Sequence, residues 1–240
     1  MTTRQHHRST RHALLAGIAT LATVALSTTT LAATGAGKTE VAQWTPATWH
    51  ETMQAMPTGD AARGEKLHDE KFCASCHGSR GEALTGNWPL LAGQRAEYTY
   101  KQLLDYAEHR RAEDQRAHIM NVAAAELDRQ EMADLAAFYE QQGLPEAARP
   151  GDAHPAHQLV SVGDPTRLIT PCAACHGSNG SGGINESPTL RGQPEAYFMR
   201  TMALFRDGER GNDVAHGMSQ FAQPLTDEEI ADLAEYYATE

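Results

Sequence analysis

A five-residue pattern occurs twice in this chain, as Cys73-Ala74-Ser75-Cys76-His77 and as Cys172-Ala173-Ala174-Cys175-His176, each followed by glycine. The two copies hold all four cysteines of the chain. C-x-x-C-H is the attachment signature of a c-type haem. Two thiols add across the two vinyl groups of one macrocycle, and on a helical turn the adjacent histidine comes to lie under the iron. A zinc site and a redox dithiol are the other chemistries that a C-x-x-C motif serves. The constraint on folding is strong. A chain of 240 residues holds two domains of about a hundred residues each. With no cysteine left for a disulfide, the staple for each small core has to be the covalently bound haem.

The sequence around the motifs repeats as well. Gly59-Asp60 before the first motif corresponds to Gly163-Asp164 before the second, with fewer residues between. Pro89-Leu90-Leu91-Ala92-Gly93-Gln94 falls on Pro188-Thr189-Leu190-Arg191-Gly192-Gln193, Tyr98 on Tyr197, and Tyr106 on Phe205, all at a constant offset. From there the second copy is one residue shorter. His118-Ile119-Met120 then falls on His216-Gly217-Met218, and Ala133-Asp134-Leu135 on Ala231-Asp232-Leu233. The organisation that follows is a first domain over 59–142, a linker over 143–162 and a second domain over 163–240.

Helical spacing dominates each copy, and no alternating strand pattern is present, so the expected class is all-α with two tandem domains. Asp128-x-x-Glu131 and Thr226-x-x-Glu229 are capping boxes. The helices they open place Met132, Leu135, Ala136 and Tyr139, or Ile230, Leu233, Ala234 and Tyr237, on one face. A middle helix carries Tyr100, Leu103, Leu104 and Ala107, with Met199, Met202 and Ala203 at matching core positions. A first helix is expected from Asp60 to Lys71. The linker, with its prolines and little periodicity, is expected to wrap the surface and supply no core element. Thr45-Pro46 caps a short helix bearing Trp49, Met53 and Met56, either a strap on the first domain or a docking segment.

Arg4, Arg8 and Arg11 precede an uncharged stretch from Ala13 to Leu26, and small residues follow at Ala32 and Ala33. This is the layout of a secretory signal peptide over residues 1–33, with 34–58 an extension outside the repeat. The apolar run is short for a membrane span, so a membrane association requires the leader to stay uncleaved. Export places the protein in the periplasm, where haem attachment occurs. The formal net charge is −11, and the leader arginines count against it, so the cleaved chain is more acidic still. Nucleic acid is excluded as a partner, and a basic face on a redox protein is favoured.

The distal face of each iron decides between carrying electrons and doing chemistry. His77 and His176 supply one axial ligand each. Among the methionines after each motif, Met132 reads as core beside Ile230, and Met199 and Met202 read as core beside Tyr100 and Leu103. Met120 and Met218 alone coincide between copies, in a stretch suited to a loop, and are the expected distal ligands. His118 and His216, two residues earlier, are the competing pair. Pro89 and Pro188 either present a carbonyl to the proximal histidine or merely end a loop. Trp88, Tyr98, Tyr106 and Phe205 read as an apolar shell.

These residues together resemble class I cytochromes c, and specifically the di-haem cytochrome c4 family. The likeness lies in C-A-x-C-H-G, P-x-L-x-G-Q, the aromatic-rich middle helix and the methionine before L-x-x-x-[EM]-[IM]-A-D-L-A-x-[FY]-Y. It implies two cytochrome c domains facing each other about a pseudo-twofold axis, with haem propionates near their interface. It also implies two covalently bound haem c groups, and electrons exchanged with redox protein partners such as a terminal oxidase, a membrane cytochrome complex or a dehydrogenase. No Ser/His/Asp arrangement, phosphate loop or nucleotide fingerprint argues for an enzyme. A di-haem peroxidase would need one open iron. An electron-accepting subunit of a sulfide or thiosulfate dehydrogenase keeps the same biophysics and differs in its partner.

Overall fold

Among the described residues five helices start where a side chain accepts a free amide of the first turn. The computed structural model describes Met1 and residues 41–146, 150–183 and 187–238, and the signal-peptide reading of residues 1–33 lies outside the described part, Met1 apart. Residues 40–240 form one compact unit. Thr45 caps α1 (Pro46–Gln54) in a reciprocal box with Thr48. Asp60 caps α2 (Ala61–Glu70), accepting from the amides of Ala62 and Arg63. The first motif forms the single turn α3 (Ala74–His77), and α4 (Ala96–Ala107), α5 (Gln115–Ala125) and α6 (Arg129–Glu140) complete the first domain. The second domain contains α7 (His157–Ser161), α8 (Ala173–His176), α9 (Glu195–Arg206), a 3-10 turn over Val214–His216, α10 (Gly217–Ala222) and α11 (Asp227–Tyr237). Among the described residues the one extended pairing is an isolated bridge between Asp164 and Ile169. The all-α class stands.

Each copy has its own core. Tyr100, Leu104, Met132, Leu135, Phe138 and Tyr139 form the first. Val160, Phe198, Met202, Ile230, Leu233 and Tyr237 are among the residues of the second. Both expected capping boxes are formed: Asp128 with Glu131, and Thr226 with Glu229. In the first domain α2 packs tightly across α6, because Gly64 lets the backbones meet. A Cβ there would stand 2.1 Å from the Asp134 carbonyl oxygen.

Three sequence expectations are corrected. The stretch between the copies does contribute to a core: α7 buries Leu159 and Val160 against the second domain. The pairing of Gly163-Asp164 with Gly59-Asp60 also fails. The amide of Cys73 donates to the carbonyl of His68 on α2, whereas that of Cys172 donates to Leu159 on α7. So α7 takes the place of the end of α2, and Asp164 organises an inserted turn, where Arg167 pairs with Asp164 and with Glu229 of α11. Finally, Met199 is 41% exposed. The buried stripe of α9 runs through Phe198, Met202 and Phe205 instead.

Candidate haem sites

Each C-x-x-C-H occupies one helical turn with its first cysteine at the N-cap, and Gly78 or Gly177 ends it with φ of 76° or 78°. His77 and His176 are buried, and their Nδ1 atoms lie 3.4 and 2.9 Å from the carbonyl oxygens of Pro89 and Pro188. A carbonyl can only accept, so each Nδ1 carries the proton and each Nε2 carries the lone pair that a metal needs. Burial lowers both imidazole pKa values, that of His77 to about 4, so both rings are neutral. The Trp88 ring meets His77 edge-on at 6.4 Å.

The four cysteines are half-buried, and none is paired in a disulfide. Burial pushes the Cys172 thiol up to about 11 and raises Cys73 as well. A redox dithiol has the opposite property, a thiol pKa lowered towards neutrality. A structural zinc site needs four converging ligands, and among the described residues no three His, Cys, Asp or Glu side chains come together to hold a metal. A neutral imidazole beside two half-buried thiols on one turn fits a thioether-linked haem. So does an orphaned cation: Arg210 is 3% exposed and its Nη1 has no partner, which suits a group bearing carboxylates.

Met120 and Met218 lie half-buried against the first and second cores. They do not sit on loops as expected. Met120 is in the middle of α5, which Asp114 opens by accepting the amide of Ala117. Met218 is on the short α10, after a break in which Ala215 (φ 53°) and His216 (φ 54°) are both left-handed. Two such residues in succession cost about 1–2 kcal/mol each. They persist where the surroundings hold them. The competing His118 and His216 are exposed. Of the expected shell, Phe205 is buried, while Trp88, Tyr98 and Tyr106 are partly exposed.

The two copies meet through groups related by the repeat. Gln94 accepts from the amide of Thr189 (2.8 Å) and donates to its carbonyl (3.1 Å). Gln193 accepts from the amide of Leu90 (3.1 Å) and donates to its carbonyl (2.9 Å). Gln94 matches Gln193, and Leu90 matches Thr189, so this is one contact made twice about a pseudo-twofold axis. The arginines obey the same relation: Arg111 stacks over Tyr106 and Arg210 over Phe205, each at 4.4 Å. Beside them lies a patch without symmetry. Lys101 donates to Asp105 (2.5 Å) and to the carbonyl of Asn212 (2.6 Å), and the Asn212 amide donates to Asp105. The sequence reading singled out none of Lys101, Asp105, Arg111, Arg210 or Asn212. Nor did it single out His68, which links Tyr139 to the carbonyl of Gly78. For Lys101 and Asp105 the available signal was their i, i+4 spacing as opposite charges on α4.

A family model, Cytochrome c, matches residues 61–142 and again residues 167–239. The chain is 38% identical over 185 residues to cytochrome c4 of Thiocapsa roseopersicina, covering 76% of this chain and 93% of that one. The chain belongs to the cytochrome c4 family. A crystal structure of reduced recombinant cytochrome c4 from Pseudomonas stutzeri is similar in fold, with a TM-score of 0.67 at 29% identity, over 76% of this chain and 99% of that one. The thiosulfate dehydrogenase electron acceptor of Stutzerimonas stutzeri (strain A1501) is 35% identical over 200 residues, covering 78% of this chain and 88% of that one. As a member of the cytochrome c4 family the protein has two cytochrome c domains and two covalently bound haem c groups. It is an electron-transfer protein and not an enzyme. Among the described residues no helix is long and apolar enough to cross a membrane.

Proposed function

We propose that Cys73 and Cys76 attach one haem and Cys172 and Cys175 the other, with His77 and His176 as proximal ligands and Met120 and Met218 as distal ligands. The protein then carries single electrons in the periplasm between redox protein partners, such as a dehydrogenase on one side and a terminal oxidase or membrane cytochrome complex on the other. The observation that carries this reading is the pairing of like with like. Both buried histidines donate Nδ1–H to a proline carbonyl, and both half-buried methionines recur at matching places in the two copies.

When bound, each haem supplies a one-electron iron couple. The Pro89 and Pro188 carbonyls fix the tautomer and plane of each imidazole and make the ring a stronger donor. A thioether from Met120 or Met218 would also hold the iron, and would exclude small ligands and favour the ferrous state. Arg111 and Arg210, buried at the junction of the copies, stand where anionic propionates from both sites would be received. Because the residues on both sides are held by helices with packed cores, little rearrangement accompanies a change of charge.

The test is the optical spectrum of the holoprotein, oxidised, reduced, and reduced under carbon monoxide. The wild type is expected to show a far-red methionine-to-iron band and no response to carbon monoxide. Met120→Ala and Met218→Ala should each keep both haems bound and open one iron to carbon monoxide. A variant whose band, potential and carbon monoxide response match the wild type would overturn that ligand.

A second reading concerns the partner. The relative from Stutzerimonas stutzeri is named as an electron acceptor of thiosulfate dehydrogenase, which supports service as the electron-accepting subunit of such a dehydrogenase. Co-purification from the native host separates this from a free shuttle.

A further inference from the structure

We infer that residues 42–49 form a positioning strap for the second haem site alone, and that Trp44 is the residue through which it acts. The inference rests on Met218 being a distal ligand. The two distal segments differ in length at one spot. The aspartate that precedes each methionine is Asp114 in the first copy and Asp213 in the second, and the second copy reaches its methionine with one residue fewer. The longer segment is a continuous helix with its own cap. The shorter one takes up the missing residue by turning left-handed at Ala215 and His216, next to Gly217-Met218.

That break is held from outside the repeat. The amide of Ala215 donates to the carbonyl of Trp44 at 3.1 Å. Trp44 in turn is buried in the first domain: its Nε1 donates to Asp105 at 2.6 Å, and the Arg110 guanidinium covers its ring at 4.3 Å. Arg110 also donates to the carbonyl of Ala42. Asp105 is the hub, since it receives Asn212 from the second domain as well. On the far side Asp213 accepts from the amide and hydroxyl of Ser219, pinning the start of α10. The stretch Asn212–Ser219 is therefore tied at both ends and in the middle. The middle tie comes from a segment that the first copy has no equivalent of. The strap sets how firmly Met218 is presented, and so makes two sites built on one plan chemically distinguishable.

The experiment uses the holoprotein with Trp44→Ala, read by haem content, the far-red methionine-to-iron band, carbon monoxide binding in the reduced state and potentiometry. Both haems are expected to stay attached, one of the two to lose its band, bind carbon monoxide and fall in potential, and the other to be unchanged. Trp44→Phe keeps the buried ring but removes the bond to Asp105, and it should give a smaller loss at the same haem; it decides the matter if Trp44→Ala yields no folded protein. Adding Ala215→Gly, which relieves the left-handed strain, should restore the band in either background. Full retention of both bands in the Trp44 variants, or equal loss at both haems, would overturn the strap. Met218→Ala serves as the reference. If it leaves the band intact, the ligand reading fails; if it removes the band at one haem while the Trp44 variants do not, the strap alone fails.

Discussion

Asp134 gathers the start of the first domain onto its last helix. Its carboxylate accepts from the amide of Asp60 (2.7 Å), from Arg63 Nε (2.8 Å) and Nη2 (3.0 Å), and from Gln130 (2.9 Å). The Arg63 hydrogen bonds hold its pKa below the usual carboxylate value, and burial opposes them. A carboxylate depressed on folding adds stability that is complete above its unfolded pKa of about 3.9 and lost as pH falls through the lower folded value. Asp134→Asn should therefore destabilise the protein at neutral pH by about 1–3 kcal/mol, and the gap to wild type should close as the pH falls below that unfolded value and through the lower folded one. Urea midpoints measured along that range check this; a gap independent of pH would assign the loss to packing. At the same scale, the two C-x-x-C-H turns were legible in the sequence because each motif is local, whereas the carbonyl contacts of Pro89 and Pro188 were one of two readings that the sequence left open. His68 was not legible, since its partners Tyr139 and Gly78 lie far along the chain or across a turn.

The helices divide by what holds them. Helices α6 and α11 carry cap and apolar stripe within one short window, and both were readable from sequence down to the capping glutamate. Thr226→Ala removes the acceptor for the Glu229 amide and is expected to cost about 1 kcal/mol, visible as a lower melting temperature with unchanged haem content. No comparable change should follow Ser75→Ala, whose hydroxyl makes its short bond to a carbonyl within the exposed turn at Phe72. Helix α7 escaped notice because it has five residues and no side-chain cap; burial of Leu159 and Val160 sustains it, and burial is a tertiary fact. The face of α9 was misread at Met199 because the copies were assumed to keep one rotational phase. The segments bearing Met120 and Met218 were placed on loops because a one-residue difference in length does not say whether a helix shortens, breaks or slides.

Across the whole molecule, the glutamines are the contact that a linear reading could see but not interpret. Gln94 and Gln193 close the repeated P-x-L-x-G-Q stretch, yet the partner of each is backbone in the other domain. Replacing one by alanine strands an amide and a carbonyl in a buried site, at about 1–3 kcal/mol for each group left unpaired. Gln94→Ala with Gln193→Ala should loosen the junction enough for calorimetry to resolve two transitions where the wild type shows one. A single unchanged transition would mean that the Lys101–Asp105–Asn212 patch suffices to couple the halves. The glutamine contact has a further meaning. A self-matching surface of this kind needs no tether, for two separate copies of a single-domain chain could clasp each other with it. In such a pair every substitution lands on both partners at once, and neither can diverge from the other. Joining the halves in one polypeptide removes that bond of equality. One half can then lose a residue and the other gain an arm to brace the gap, which is how duplication turns symmetry into direction.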